Sequence, residues 1–226
     1  MDAVIVTGAA GALGQAVVAE FRAAGRPVVA LGRPGERLEA LGAQEGVHAV
    51  AVDLASRPAV QAAFAEIDAL PETPSALVGL AGGFTPGSLA DVDEEQLDGL
   101  WRANFSSTLW AAQAAAPRFV ARGGGAIVTV GARTAVSGAA PVAHATSKAA
   151  VVRLTALLAE ELRGDRIRVN AVLPSTIDTP ANRSWMSPQM TERAVAPEAI
   201  AKVIAFLCGP DAAPISGAVI PVYGDA

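Results

Sequence analysis

The feature that most constrains this chain is an apolar run that breaks into spaced glycines and resumes as an apolar-faced helix. It reads Val4-Ile5-Val6-Thr7-Gly8-Ala9-Ala10-Gly11-Ala12-Leu13-Gly14, then Gln15 to Phe21. The run has the character of a buried strand, and glycines at a strand-to-helix junction let the backbone turn tightly and lie close to a bound group. The first free N–H groups of the helix and the positive end of its dipole face that group, which suits a pyrophosphate. A glycine trio is weak alone; its place after a strand and before a helix makes it a dinucleotide signal.

The alternation continues along the chain. Strands are expected at 26–31, 47–52, 75–81, 126–130, 167–173 and 218–222, with helical segments at 36–41, 56–70, 93–121, 145–163 and 197–207. Ser56 and Pro58 mark a helix start, and Pro117 is expected to kink or interrupt the longest helix. Short apolar strands separated by helices call for a parallel sheet covered on both faces with right-handed crossovers. The expected architecture is α/β, a doubly wound Rossmann-type sheet in one domain over residues 1–226. Residues 175–196 form the one long irregular stretch, with Pro180, Trp185, Met186 and Met190, and read as a substrate loop.

Composition narrows the function. No apolar run approaches the roughly 18 residues of a membrane helix and no basic-then-apolar leader opens the chain, so a cytoplasmic protein without membrane attachment is expected. One Cys and two His exclude a Cys/His zinc cluster, no metal is expected, and Cys208 reads as a small core residue. A net charge of −5 with no basic stripe along the sequence argues against a nucleic-acid partner. Only Lys148 and Lys202 are lysines against fifteen arginines, so a Lys at a motif position stands out. A serine hydrolase elbow and a P-loop are both absent: Ala135-Val136-Ser137-Gly138-Ala139 lacks the first glycine, and Leu13-Gly14-Gln15 stands where Gly-Lys-Ser/Thr is required.

Thr7-Gly8-x-x-Gly11-x-Leu13-Gly14, Asp53-Leu54, Ala81-Gly82, Asn104, His144-x-x-x-Lys148 and the run from Leu173 to Pro180 stand in the order of a short-chain dehydrogenase/reductase, which the whole chain resembles. The resemblance implies that Gly8, Gly11, Leu13 and Gly14 hold the pyrophosphate and that Asp53, with Leu54, meets the adenine. It implies too that Ala81 and Gly82 line the cofactor, that Thr179 reaches its nicotinamide end, that Lys148 bonds the ribose, and that Asn104 holds a relay water. A bland alternative for Asn104, a helix residue bonded locally, stays open. A homodimer or homotetramer acting on a small-molecule substrate is also implied.

Two departures matter. The family places a Ser after the fifth strand, where Gly131-Ala132-Arg133 stands, and a Tyr four residues before the Lys, where His144 stands. Spacing of four keeps both side chains on one helix face. His144 then reads as a proton donor compromised by the neighbouring Lys148 cation, as the mark of a nucleotide-binding site without turnover, or as a replacement engineered for Tyr. Ala81-Gly82-Gly83-Phe84, Gly131-Ala132-Arg133 and residues 173–183 resemble the dihydropteridine reductase branch, which also lacks the Ser and whose quinonoid acceptor needs little polarisation. Gly32-Arg33 ends the second strand without an acid, so NADP(H) is expected and NAD is the alternative, Arg33 meeting the 2′-phosphate or standing as a solvated turn residue. The sequence therefore points to an NADP(H)-dependent oxidoreductase passing hydride to a small carbonyl or quinonoid acceptor, with an impaired, nucleotide-binding relative as the rival.

Overall fold

Each of the seven expected apolar runs is a strand in the computed structural model, which describes residues 2–225. The strands are β1 (Asp2–Thr7), β2 (Val28–Gly32), β3 (Val47–Ala51), β4 (Thr73–Gly79), β5 (Gly125–Val130), β6 (Ile167–Pro174) and β7 (Val219–Val222). They form one parallel sheet in the order β3-β2-β1-β4-β5-β6-β7. Val6 lies beside Ala30 on one side and Val78 on the other, so the chain order reverses across β1 and β4. A crevice opens at such a reversal, outside the carboxyl ends of the strands.

Helices cover both faces. They are α1 (Ala12–Ala23), α2 (Glu36–Gly42), α3 (Arg57–Ile67), α4 (Glu94–Leu100), α5 (Ser107–Ala121), α6 (Val142–Glu161), α7 (Pro180–Arg183), α8 (Pro188–Arg193) and α9 (Pro197–Cys208). Val4 and Val6 of β1 pack with Phe21 of α1 and Ile200 and Ile204 of α9, whereas Ile5 packs on the other face with Phe64 of α3 and Phe119 of α5. Strand side chains alternate between faces, so a strand apolar at every position is buried on both. Full burial of one such side chain contributes about 1.5–3 kcal/mol, and Phe21, Phe64 and Phe119 are all fully buried.

The structure corrects several boundaries. The 93–121 helix is three pieces, because Trp101–Ser106 winds as a π-helix between α4 and α5. The carbonyls it frees are taken by side chains: Ser107 Oγ donates to the Ala103 carbonyl at 2.6 Å and Thr108 Oγ1 to the Asn104 carbonyl at 2.8 Å. Pro117 does not end α5; Arg118 Nη1 donates to the Ala114 carbonyl at 2.7 Å, adding a bond beside the turn where proline removes one. β4 stops at Gly79 because the next two N–H groups turn to Thr7 Oγ1. The 175–196 stretch carries α7 and α8, each opened by a hydroxyl cap and a proline, Thr179-Pro180 and Ser187-Pro188. No helix of the described residues is long and apolar enough to cross a membrane, and they hold no cluster of three potential metal ligands.

Candidate functional site

The β1–α1 turn is built so that two of its glycines, Gly8 and Gly14, cannot carry side chains freely. Gly8 has φ +65°, and a Cβ there would lie 2.9 Å from the Ala81 nitrogen. A Cβ on Gly14 would lie 2.6 Å from the Ala9 carbonyl oxygen, inside the turn itself. Gly11 is the N-cap of α1, exposed, with only the Gly8 oxygen at 3.3 Å from where a Cβ would stand. The turn thus presents an open backbone mouth at a helix N-terminus, which fits an anionic diphosphate. Thr7, which sequence reasoning quoted but gave no role, ties the two walls of the crevice: it is buried, and its Oγ1 accepts from Leu80 N at 3.1 Å and Ala81 N at 3.2 Å. Leu13 packs partly buried against the core beneath.

Asp53 follows β3 with Oδ1 accepting from Ala55 N at 2.9 Å, which fixes the carboxylate. The Leu54 side chain is buried in the core. Arg33 follows the end of β2, exposed, with no hydrogen bond or ion pair among the described residues. Thr179 caps α7, its Oγ1 accepting from Asn182 N at 3.1 Å while its own O–H is left to donate elsewhere.

Lys148 is the centre of the other half. It is 9% exposed, its Nζ donates to the Val130 carbonyl at 2.9 Å, and a Cβ on Gly82 would lie 3.2 Å from that nitrogen. Burial lowers its pKa to about 8, so the ammonium persists at neutral pH. Asn104 is fully buried within the π-helix; Oδ1 accepts from Gly83 N at 2.9 Å, and Nδ2 donates to Ser147 Oγ at 2.9 Å and to the Gly83 carbonyl at 3.2 Å. Its amide thereby joins the 82–83 backbone to α6. Ser147, unnoticed in the sequence, completes this join by donating to the His144 carbonyl at 2.8 Å. Only its place between His144 and Lys148 could have drawn attention to it.

α6 begins at Val142, three residues earlier than expected, because Pro141 starts it. His144 therefore lies in the first helical turn, where the helix dipole disfavours a cation. Phe84 meets its ring edge-on at 5.0 Å between centroids, and Nδ1 is enclosed without a hydrogen-bond partner. Burial first, and the Lys148 charge second, lower its pKa from 6.5 to about 4. The imidazole is neutral at pH 7, and protonated donation is closed to it.

Gly131 directly follows β5, and a Cβ there would lie 3.1 Å from Val152 Cγ2 and 3.2 Å from Leu173 Cδ1. A hydroxyl cannot simply be restored: Gly131→Ser is expected to lose about 1–2 kcal/mol by overpacking, a fall of roughly 2–8 °C in melting temperature that calorimetry would measure.

A model of the short chain dehydrogenase family matches residues 2–189. The chain belongs to the short-chain dehydrogenase family. It is 32% identical to a (3R)-3-hydroxyacyl-CoA dehydrogenase of Mus musculus over 97% of this chain and 94% of that protein. It is 31% identical to a D-xylose 1-dehydrogenase of Caulobacter vibrioides over 95% of this chain and 91% of that one. Among solved structures, a 3-ketoacyl-(acyl-carrier-protein) reductase of Brucella melitensis complexed with NADH superposes with a TM-score of 0.92 at 25% identity, covering 99% of this chain and 97% of that one. These matches support a nicotinamide-dependent oxidoreductase.

Proposed function

We propose that this dehydrogenase-family chain is an NADP(H)-dependent reductase that passes hydride to a small carbonyl or quinonoid acceptor. The observation that carries the reading is the meeting, across one crevice, of a side-chain-free diphosphate turn and a buried lysine ammonium held against Gly82. Bound there, the nicotinamide supplies the hydride. Lys148 orients the ribose and holds positive charge beside the reacting centre. Gly8, Gly11, Leu13 and Gly14 form the phosphate end, Asp53 and Leu54 the adenine end, and Ala81, Gly82 and Thr179 the walls. Asn104 acts as a positioning residue through Gly83 and Ser147, because its amide is already engaged. His144, neutral, donates at most an N–H hydrogen bond to a developing oxyanion, as the neutral histidine of triosephosphate isomerase does. The carbonyl alternative is supported by the named activities of the relatives. The quinonoid alternative is supported by the missing hydroxyl across Gly131-Ala132-Arg133 and by the resemblance of residues 173–183 to the dihydropteridine reductase branch. The reading takes the protein as cytoplasmic and as a homodimer or homotetramer, for which exposed Leu97 and Trp101 offer apolar surface.

A rival, a nucleotide-binding relative without turnover, draws its support from the low His144 pKa and the crowded Gly131. Single-turnover deuteride transfer from stereospecifically labelled NADPH to ketones, aldehydes, quinones and quinonoid pterins separates the two. Label is expected in one acceptor class and from one nicotinamide face; bound NADPH with no label moved leaves the rival standing. In the same assay Arg33→Ala is expected to weaken NADPH about tenfold or more and leave NADH unchanged, since a charged hydrogen bond to the 2′-phosphate contributes about 1.5–3 kcal/mol. Equal losses for both cofactors would return Arg33 to the solvent.

A further inference from the structure

We propose that the opposite end of the sheet carries a second site, a cleft that binds a compact polyanion such as an oligophosphate chain. The cleft, of about 520 Å³, is lined by Arg26, Arg122, Arg166 and Arg168 together with Asp2 and Cys208. These residues come from the start of β1, the approach to β2, the α5–β5 loop, the β6 entry and the end of α9, so the chain shows no basic stripe while the fold makes a basic pocket. It lies at the N-terminal ends of the strands, one strand length or roughly 20 Å from the dinucleotide turn.

Four guanidiniums face one carboxylate in a protein of net charge −5. Asp2 does not neutralise them: its Oδ1 accepts from Arg122 Nη2 at 3.0 Å, and Arg26 and Arg168 reach neutral acceptors. Arg26 donates to Ser75 Oγ at 2.7 Å, and Arg168 donates to the Leu207 and Gly209 carbonyls at 2.7 and 3.0 Å. Burial pushes the Cys208 thiol up to about 12, so it stays neutral and adds no counter-charge. Each guanidinium has five N–H donors in a rigid fork, so these few bonds fix the Arg26, Arg122 and Arg168 heads and leave most donors free. Pre-positioned planar forks of this kind suit paired oxygens of the repeated, tetrahedral phosphate groups.

The backbone adds a second observation. Arg166 has φ 59°, the one non-glycine among the described residues in the left-handed region. A glycine would sit there without strain, yet the chain places a side chain with no hydrogen bond to the protein at the cleft wall. Gly124 makes room for it, since a Cβ there would lie 2.8 Å from the Arg166 carbonyl oxygen. Arg26 and Arg168 have structural employment; Arg166 has none, and Arg122 bonds only Asp2. Mutual repulsion among the four is what a bound anion relieves.

Calorimetric titration with sodium tripolyphosphate tests the site, on the wild type, on an Arg122→Gln/Arg166→Gly double variant, and on Arg33→Ala. The double variant keeps its fold, because glycine removes the strain at 166 and position 122 caps α5 with its backbone; an unchanged melting curve verifies this. The expected result is a binding component in the wild type that weakens at least tenfold in the double variant, grows weaker with added salt, and survives Arg33→Ala. Coincident wild-type and double-variant isotherms, or loss of the same component in Arg33→Ala, overturn the proposal.

Discussion

His144→Tyr raises the single-turnover rate of hydride transfer by roughly 10²–10⁴-fold, the contribution of a well-placed general acid. The Lys148 charge acts in opposite senses on the two acids relative to neutral pH, and burial adds to its effect on the imidazole. A cation one helical turn away lowers the pKa of any neighbouring acid, because it disfavours further positive charge and favours negative charge. A phenol starts near 10, so Lys148 brings it toward neutrality and makes it a better donor. An imidazolium starts at 6.5, so burial first and the same lysine second carry it away to about 4. Tyrosine and lysine cooperate at this spacing, whereas histidine and lysine oppose each other. The wild-type rate is accordingly expected to show no inflection between pH 5 and 7.5 and to fall above about 8, as Lys148 loses its proton. Stability carries the matching signature. Between 6.5 and 4 the unfolded chain binds a proton at His144 that the folded protein refuses, so stability is lost as pH falls through that window. His144→Phe should flatten that part of the melting-temperature profile. A tyrosine variant no faster than the wild type, with cofactor bound, would show that geometry and not the acid limits this site.

The sheet was legible because each strand is a short apolar run between turn residues, and a strand buried on both faces leaves no competing pattern. The spatial order of the strands follows from handedness and crossover rules, to which the run of residues adds little. What escaped reading has physical causes. The π-helix at Trp101–Ser106 depends on Ser107 and Thr108 accepting a local role as carbonyl partners, and on Asn104 being drawn across to Ser147, forty-three residues away. No local periodicity encodes such a contact. α7 and α8 carry the start signals Thr179-Pro180 and Ser187-Pro188, akin to Ser56 and Pro58 at the start of α3, but each helix is too short to show an apolar face in the sequence. In the site, the spacing of His144 and Lys148 placed them correctly on one helix, but the proton affinity of His144 depends on Phe84 and on the turn of α6 where it falls. The four arginines of the basal cleft are separated by up to 142 positions, and only the fold brings them together.

The three glycines of the proposed dinucleotide turn look alike in the sequence, yet their substitution should separate folding from binding. Gly14→Ala is expected to lower stability by roughly 2–3 kcal/mol, because its Cβ would press on Ala9 backbone atoms at 2.6 and 2.7 Å that no side-chain rotation can move. In a chain of this size that is a fall of about 4–12 °C in melting temperature. Relief requires α1 to shift away from β1, which carries its N–H groups off the phosphate position, so cofactor affinity falls as well. Gly11→Ala differs: its φ of −73° suits any residue, the position is exposed, and the nearest atom to the new Cβ is the Gly8 oxygen at 3.3 Å. The protein alone should melt within a degree or two of the wild type. The added methyl instead stands in the open mouth of the turn, where a diphosphate must approach the backbone, and NADPH should bind at least tenfold more weakly. Paired thermal melts and cofactor titrations on the two variants measure both effects. Should Gly11→Ala retain full affinity, the diphosphate does not lie across this turn, and the crevice would have to receive its nucleotide in another way.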